Sequence, residues 1–383
     1  MRTFRLFTRS SKFNWKQLIS RGIMILYRLK SLLPEVYRNI LPELFEKKLP
    51  KEKAATCSDC AMCAEAGDVT SLGIRFSKET KCCTHYPKLP NYLVGAILEN
   101  NDLKIRKGQE RVHQIIRSRV GVVPLGILST RKYDLLYRQS PLAFGKSSTM
   151  LCPFFRKDEG LCSIYPFWNA TCITWFCKYN AGYDGQIFWI ALLRYLGHVE
   201  RVLAQYAIYK IGLEAGNILF PKTITEPWTE RDFDDQPPDE DAYQRQWKEW
   251  AGREEDFYKE AYGLILTLSR DDFDRMAGIQ QEILIKDLEA KYRELVRPIL
   301  PKILRRNPKL IVEKTKQGTY ILTGYSPFDP IEVSKRIYDM LDFFDGYQSN
   351  KDACGFILDQ LGAEPTNELL LSLYQFRILI ATE

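Results

Sequence analysis

The chain has 383 residues, of which 45% are hydrophobic and 27% are charged, a composition that excludes a disordered or fibrous protein. Its formal net charge is +7, but residues 1–56 hold 13 Lys and Arg against 4 Asp and Glu, so the rest of the chain is close to neutral. A basic face on a folded domain is therefore not indicated, and we expect no nucleic-acid partner.

Residues 1–54 form a basic N-terminal arm. Its apolar run, residues 22–27, stops at Arg28 and is too short to span a bilayer. An amphipathic helix packed on the body is predicted by apolar residues at helical spacing, namely Leu32, Leu33, Val36 and Ile40. Peripheral membrane contact and a partner or targeting signal are the alternatives for this arm.

Nine of the ten cysteines are confined to one span of the chain, residues 57–177, and Cys354 stands alone. Clustered cysteines without a secretory signal are typical of metal ligation rather than of disulfides. Buried unligated thiols and disulfides are the alternatives. We therefore predict a cysteine-cluster metal-binding domain over residues 55–180 and a cytoplasmic location. The candidate ligands are Cys57, Cys60, Cys63, Cys82, Cys83, Cys152, Cys162, Cys172 and Cys177.

The first cysteine block has two-residue gaps between Cys57, Cys60 and Cys63. Such gaps allow one tight turn to direct several thiolates at one point. The Cys82-Cys83 pair follows, and because adjacent thiols rarely bind one ion without strain, we expect them to serve different sites or one of them to be spare. We interpret the nearby His85 as a supporting or structural residue.

The second block, Cys152 to Cys177, is rich in bulky aromatic residues. We expect these side chains to exclude water and lower the local dielectric constant. Residues 160–177 carry no charge, but they include Pro166, Asn169 and three cysteines, which favours a metal-site segment over a bilayer span. The aromatic residues are Phe154, Phe155, Tyr165, Phe167, Trp168, Trp175 and Phe176.

These motifs resemble the YkgJ-like cysteine-cluster family. The CxxCxxC start, the Cys82-Cys83 pair and the block CPF…C-x-IYP…C…C carry the resemblance, which covers residues 55–180. It implies a zinc- or iron-chelating domain, and a more distant similarity is to the flagellin lysine methylases. Two departures, the insertion after Cys63 and Pro166-Phe167 in place of Arg-Pro, weaken the carry-over to Cys63, Cys82 and Cys83.

Thiolates suit both iron–sulfur clusters and zinc. An excess over four thiolates, the aromatic residues and the presence of only three histidines favour an iron–sulfur cluster, with zinc as the alternative.

Residues 181–297 are predicted to be helical, with helices over 180–220, 254–269 and 272–295. The acidic, proline-containing stretch 223–246 between them is predicted to be a loop or linker.

Residues 298–383 predict a small winged-helix-like module. Two strands on either side of Lys316-Gln317-Gly318 are predicted to form a β-hairpin. Helices are predicted over 331–344, 353–361 and 366–380. This order resembles PqqD-like domains, which are peptide-recognition modules, and the resemblance implies an extended peptide added to the hairpin edge. An ordinary packing or DNA-binding winged helix is the alternative.

The fold class is therefore predicted to be mostly α, α+β: an irregular cysteine-rich domain on a helical layer, with the C-terminal module. The predicted function is a metal-binding cysteine-cluster protein with a protein or peptide partner. The alternative is a cluster-dependent enzyme that modifies a protein or peptide by methyl transfer or redox chemistry, and S-adenosylmethionine is implied only there. The sequence has no Walker A loop, GxGxxG or HExxH motif and indicates no catalytic residue.

Overall fold

The structure, a computed structural model, describes residues 27–49, 60, 62–63, 74–213 and 226–382. Helices dominate these residues and are accompanied by small antiparallel sheets of two or three strands, which confirms the mostly α, α+β class. No helix in this part of the chain has the length and apolarity needed to cross a membrane.

The described part of the N-terminal arm is not the predicted amphipathic helix. Strand β1 (Tyr27–Arg28) pairs with β2 (Lys48–Leu49), and three short 3₁₀ turns lie between them. Pro34 and Pro42 each precede one of these turns, and proline disfavours helical backbone in the residue before it. The apolar residues are nevertheless buried in the core, among them Leu29, Val36, Tyr37, Ile40, Leu44 and Phe45.

Long helices form the centre of the molecule. The helix α5 packs against α9 and α4, and α1 packs against α8. Their apolar faces make two buried clusters, one around α5 and one around α1, α2 and α8. The helices are α1 (Asn91–Glu99), α2 (Arg106–Ser118), α3 (Arg131–Gln139), α4 (Ala170–Thr174), α5 (Gly182–Ile211), α6 (Glu230–Phe233), α7 (Glu240–Trp247), α8 (Glu254–Leu266) and α9 (Arg270–Val296).

The acidic stretch 223–246 was predicted to be a loop, and for much of its length this is wrong. Helices α6 and α7 lie within it. Asp239 caps α7 by accepting the N–H of Ala242, and Tyr243 and Trp247 then bury their rings in the core. Two buried aromatic residues one turn apart anchor a sequence whose charged residues face water.

Two small sheets frame the cysteine region. The first has the order β3-β5-β4, built from β3 (Leu89–Pro90), β4 (Val122–Val123) and β5 (Gly126–Ile127). The second is a hairpin of β6 (Phe155–Arg156) and β7 (Leu161–Cys162), in which Phe155 lies opposite Cys162.

The C-terminal module contains the predicted hairpin, formed by β9 (Ile311–Lys314) and β10 (Tyr320–Thr323) with Tyr320 opposite Lys314. A third strand, β11 (Ile331–Val333), pairs with β10. The remaining elements are β8 (Leu304–Arg306), α10 (Lys335–Met340), α11 (Asn350–Leu361), α12 (Asn367–Gln375) and β12 (Leu379–Ala381).

Two predicted helix boundaries in this module are wrong. Residues 331–333 belong to β11 and not to a helix, because β10 offers them an open edge, and α10 begins only after Ser334, which caps it. The last helix ends at Gln375 because Arg377 adopts a left-handed backbone with φ 56°, after which β12 pairs with β8. The predicted helix 353–361 is confirmed as α11, with the Ser349 cap.

Candidate metal centre

A backbone hydrogen bond links Cys60 and Cys63, the two described cysteines of the first block. The N–H of Cys63 donates to the carbonyl of Cys60 at 3.0 Å, and the N–H of Phe76 donates to the carbonyl of Met62 at 2.9 Å, which ties this segment to the body. The Cys63 thiol donates to the carbonyl of Ser77 at 3.6 Å, and burial raises the pKa of Cys63 to about 12, with the charge of Cys60 adding to that rise. Cys57 lies outside the described residues.

The Cys82-Cys83 pair joins the two cysteine blocks. The N–H of Cys152 donates to the carbonyl of Cys83 at 2.7 Å, so residues far apart in sequence meet here through the backbone. The Cys83 thiol donates to Cys82, which lowers the pKa of Cys82 and raises that of Cys83. The two adjacent sulfur atoms therefore do not ionise equally, since one is stabilised as a thiolate by the proton of the other.

Cys152 and Cys162 are held by local turns that direct backbone N–H groups at sulfur. The sulfur of Cys152 accepts from the N–H of Phe154, whereas the N–H of Phe155 donates to the Cys152 carbonyl at 3.1 Å. The sulfur of Cys162 accepts from the N–H groups of Ile164 and Tyr165. Burial raises the pKa of both thiols, and these N–H donors oppose that rise. Neutral thiol sulfur is a weak acceptor, so this arrangement is suited to a thiolate.

Two tryptophans also donate to sulfur. The indole N–H of Trp168 donates to Cys162, and that of Trp175 donates to Cys177. The sequence pointed to these residues only as part of an apolar shell. Each tryptophan therefore also supplies a polar N–H donor to a thiol, which the abundance of aromatic residues in this segment does not predict.

Cys172 lies in the short helix α4, which Asn169 begins by accepting the N–H of Cys172 at 3.1 Å. Burial raises its pKa well above the usual value, and the charges of Cys152, Cys162 and Cys82 add to the rise. For Cys177, burial again raises the pKa first, and the charges of Cys82 and Cys60 follow.

These mutual electrostatic effects define one group of thiols. Cys82, Cys83, Cys152, Cys162 and Cys172 act on one another, and Cys177 links them to Cys60 at the edge of the group. The described cysteines are free thiols, and Cys354 lies apart, buried in the C-terminal module. Cys63 is linked to this group through the charges of Cys60 and Cys82.

Cations oppose the negative charge of this group. Lys81 lowers the pKa of Cys82, Arg156 lowers that of Cys162 and Lys178 lowers that of Cys177. Lys81 is held in place by donating from Nζ to the carbonyl of Gly160 at 2.7 Å. The site therefore provides positive charge beside three of its thiols.

The aromatic residues do not all form the predicted water-excluding shell. Phe154, Phe155 and Phe167 are buried, but Tyr165 is 58% exposed and Trp175 is 41% exposed. Cys152 is buried, whereas the other thiols of the group are partly exposed. Three of the seven aromatic side chains are thus buried in the cysteine region, while Tyr165 and Trp175 reach solvent.

Glu200, in α5, was not recognised from the sequence. It accepts the N–H of Ala170 at 2.6 Å and the O–H of Tyr37 at 3.5 Å, and Tyr37 shares a 2.9 Å hydrogen bond with Tyr92. Burial raises the pKa of Glu200 to about 8, and its charge raises the pKa of Cys172. In the sequence, the burial of Glu200 is indicated only by its position on the same helical face as Leu196 and Leu203, which are buried.

The three histidines are engaged elsewhere. His85 contacts the ring of Tyr137, and burial lowers its pKa, which fits the predicted structural role. His113 lies 2.6 Å from Glu255, and His198 lies 3.3 Å from the carbonyl of Ala277. As their side chains are placed, no group of three or more His, Cys, Asp and Glu among the described residues has the geometry to hold a metal ion.

Comparison with known proteins found no counterpart for this chain. No family model, no curated protein and no solved structure matches it.

Proposed function

We propose that this chain is a metal-binding cysteine-cluster protein, whose thiolates hold an iron–sulfur cluster, with zinc as the alternative, and whose C-terminal module binds a protein or peptide. One observation carries the metal proposal: backbone N–H groups donate to the sulfur atoms of both Cys152 and Cys162, from Phe154 to Cys152 and from Ile164 and Tyr165 to Cys162. Hydrogen bonds to ligand sulfur are a principal means by which proteins tune iron–sulfur sites.

The chemistry of the donor set fits such a group. Thiolates are the ligands preferred by iron–sulfur clusters and are also good zinc ligands. The group contains more thiols than one tetrahedral zinc needs, and cations compensate part of its charge. A bound cluster would supply electron transfer, whereas zinc would supply a structural cross-link. The YkgJ-like interpretation of the sequence motifs is consistent with either metal.

Metal content tests this proposal directly. The full chain is purified anaerobically from cells supplied with iron and zinc, and iron, sulfide and zinc are measured per chain together with the visible spectrum. We expect iron and sulfide with absorption in the visible range. Colourless protein with stoichiometric zinc would establish the zinc alternative, and protein without either metal would contradict the proposal.

Two variants locate the metal. We expect the double substitution Cys162→Ser, Cys172→Ser to abolish most of the bound metal, because both thiols lie within the interacting group. Cys354→Ser is the matched control, since Cys354 is also buried but lies in the hydrophobic core of the C-terminal module. Unchanged metal content in the double variant would exclude these two residues as ligands.

The C-terminal module has an edge strand suited to a peptide partner. Strand β9 pairs with β10 alone among the described strands, and Ile311 on it is 47% exposed. The N–H of Thr315 points inward to the carbonyl of Thr319. Because N–H directions alternate along an antiparallel strand, the N–H groups of Val312 and Lys314 are directed at the open edge. This supports the PqqD-like interpretation, in which a peptide adds as a further strand.

Proline substitution tests the open edge. Peptides are selected on the full chain from a random 12-residue phage library, and the selected peptide is then tested against variants. Val312→Pro should abolish binding, because it removes an edge N–H while the β9–β10 hydrogen bonds remain. Ile311→Thr should retain binding, since it keeps the backbone donors. Equal binding by both variants would exclude strand addition at β9.

A further inference from the structure

The loop between β10 and β11, residues 324–330, lies against the cysteine region. Within it, Ser326 is 6% exposed and Asp329 is 2% exposed. The ring of Phe328 is 5.9 Å from that of Phe76, which follows the first cysteine block. The C-terminal module and the thiol group, treated as separate domains at the sequence level, therefore share a buried contact.

A buried carboxylate forms the polar centre of this contact. The N–H of Tyr179 donates to Oδ2 of Asp329 at 2.9 Å, and the O–H of Tyr325 donates to the same oxygen. Tyr179 follows Cys177 by two residues, so Asp329 holds the backbone as it leaves Cys177. Burying a carboxylate costs free energy unless it is hydrogen-bonded, so conformations that break the hydrogen bonds from Tyr179 and Tyr325 are disfavoured.

The other side of Cys177 is connected to the same loop through aromatic rings. Trp175 donates to Cys177, and its ring is 5.6 Å from that of Phe144. Phe144 contacts Phe76 at 5.3 Å, and Phe76 contacts Phe328. The loop thus supports both flanks of one cysteine, by a hydrogen bond on one side and by packed rings on the other.

We propose that Asp329 is a positioning residue for the cysteine site: it sets the orientation of Cys177 from the C-terminal module. The role in metal retention rests on the proposed metal-binding function, whereas the positioning of the thiol does not. The effect of Asp329 passes through the Tyr179 backbone, as outer groups that orient ligands commonly act.

The first test needs no metal. Full-length protein is stripped with a chelator under reducing conditions, and iodoacetamide labelling of each cysteine is followed by peptide mass spectrometry. We expect Asp329→Ala to raise the labelling rate of Cys177 about tenfold while Cys354 stays within about twofold, because loss of the carboxylate that accepts from both Tyr179 and Tyr325 favours local opening at Tyr179. Asp329→Asn retains an acceptor oxygen but loses the charge, so its rate should lie between those of the wild type and Asp329→Ala.

A matched control separates positioning from general loosening of the contact between the modules. Asp184 is also a buried carboxylate at this contact, where it accepts from Gln375 at 3.3 Å, but it does not touch the Cys177 segment. Asp184→Asn should leave the Cys177 rate within about twofold of the wild type. Equal acceleration in Asp184→Asn and Asp329→Ala, or an unchanged rate in Asp329→Ala, would overturn the proposal.

A second readout uses the metal-loaded protein. We expect Asp329→Ala to lose its metal to a chelator about tenfold faster than the wild type, with Asp329→Asn intermediate. If circular dichroism shows that Asp329→Ala does not fold, the proposal is tested with Asp329→Asn and Tyr325→Phe instead. Each of these variants weakens the hydrogen bonding around Asp329 without removing it. In these two variants, wild-type rates of both labelling and metal loss would overturn the proposal. Wild-type protein that binds no metal would contradict the proposed function, while the labelling test would still decide the role of Asp329.

Discussion

Gly95 in α1 lies directly against the backbone carbonyl of Tyr258 in α8. A Cβ atom on Gly95 would stand 1.9 Å from that oxygen and 2.8 Å from Cβ of Tyr262. The two helices therefore approach more closely than any side chain at this position allows. Tyr258 in turn donates to the carbonyl of Val123 at 2.8 Å, so this contact also positions the small sheet beside the cysteine region.

We predict that Gly95→Ala is destabilising by about 3 kcal/mol or more, because the atom that meets the new methyl group is backbone and cannot move away alone. Gly263→Ala is the control. Gly263 lies in α8 and its added Cβ would meet nothing within 4 Å, so we expect a gain of up to about 1 kcal/mol from helix propensity. Urea unfolding measures both, and equal effects would show that the close approach is unimportant.

Trp168→Phe should raise the pKa of the Cys162 thiol. The substitution keeps an aromatic ring but removes the N–H that stabilises the thiolate. A hydrogen bond to a charged group is worth about 1.5–3 kcal/mol, which corresponds to roughly one to two pH units. The measurement is the pH midpoint of Cys162 alkylation in metal-free protein. Trp228→Phe, which alters a ring stacked on Arg131, should leave the midpoint unchanged.

The raised pKa of Glu200 predicts that the free energy of unfolding depends on pH. This pKa is raised from 4.5 to about 8 by burial, so the folded state keeps a proton that the unfolded state loses between these values. Stability contributed by this group is thus complete below about pH 4.5 and declines as the pH rises towards 8.

Glu200→Gln removes that titration. The free energy of unfolding of the variant minus that of the wild type should increase by about 1.4 kcal/mol per pH unit between pH 5 and 8. Urea unfolding at each pH measures it, and the difference between the two proteins cancels the titration of the remaining groups. A difference that does not vary with pH would show that Glu200 ionises normally in the folded state.

Arg131 connects α3 to the start of the acidic stretch. Its guanidinium donates to Asp232 at 2.9 Å and to the carbonyl of Glu226 at 2.7 Å, and it stacks on Trp228 at 4.4 Å. Its side chain is only 9% exposed.

We predict that Arg131→Ala releases residues 226–233, because it removes the ion pair with Asp232 and the hydrogen bonds to the carbonyls of Glu226 and Pro227. Limited proteolysis should then cleave this segment at least about fivefold faster, since cleavage follows local opening. Arg138→Ala on the same helix is the control, because Arg138 is exposed. Equal proteolysis of both variants would assign no anchoring role to Arg131.

Features that depend on neighbouring residues were predictable from the sequence. The hairpin around Gly318 and the Ser349 cap of α11 follow from turn and capping chemistry within a few residues. Apolar periodicity over long segments predicts the bounds of α8 and α9 to within about three residues, but not the kink in α9 at Gly278, where the backbone is non-helical. The nomination of the nine cysteines as metal ligands rests on local spacing alone and stays a prediction.

Features that depend on distant partners were decided only by the tertiary structure. Residues 331–333 form a strand because β10 is available to pair with them, and residues 379–381 do so because β8 is. The described part of the arm does not form the predicted helix, yet its apolar side chains are buried in the core, since hydrophobic burial does not require helical backbone.

The same distinction applies to the cysteine site. The sequence by itself determined which residue types are present and that local turns would gather them within each block. Only the tertiary structure joined Cys83 to Cys152, placed Glu200 beside Cys172 and brought Asp329 to the Cys177 segment. The physical reason is that each of these contacts links elements far apart in the chain. Such contacts exist only once the whole core has packed, and no local pattern encodes them.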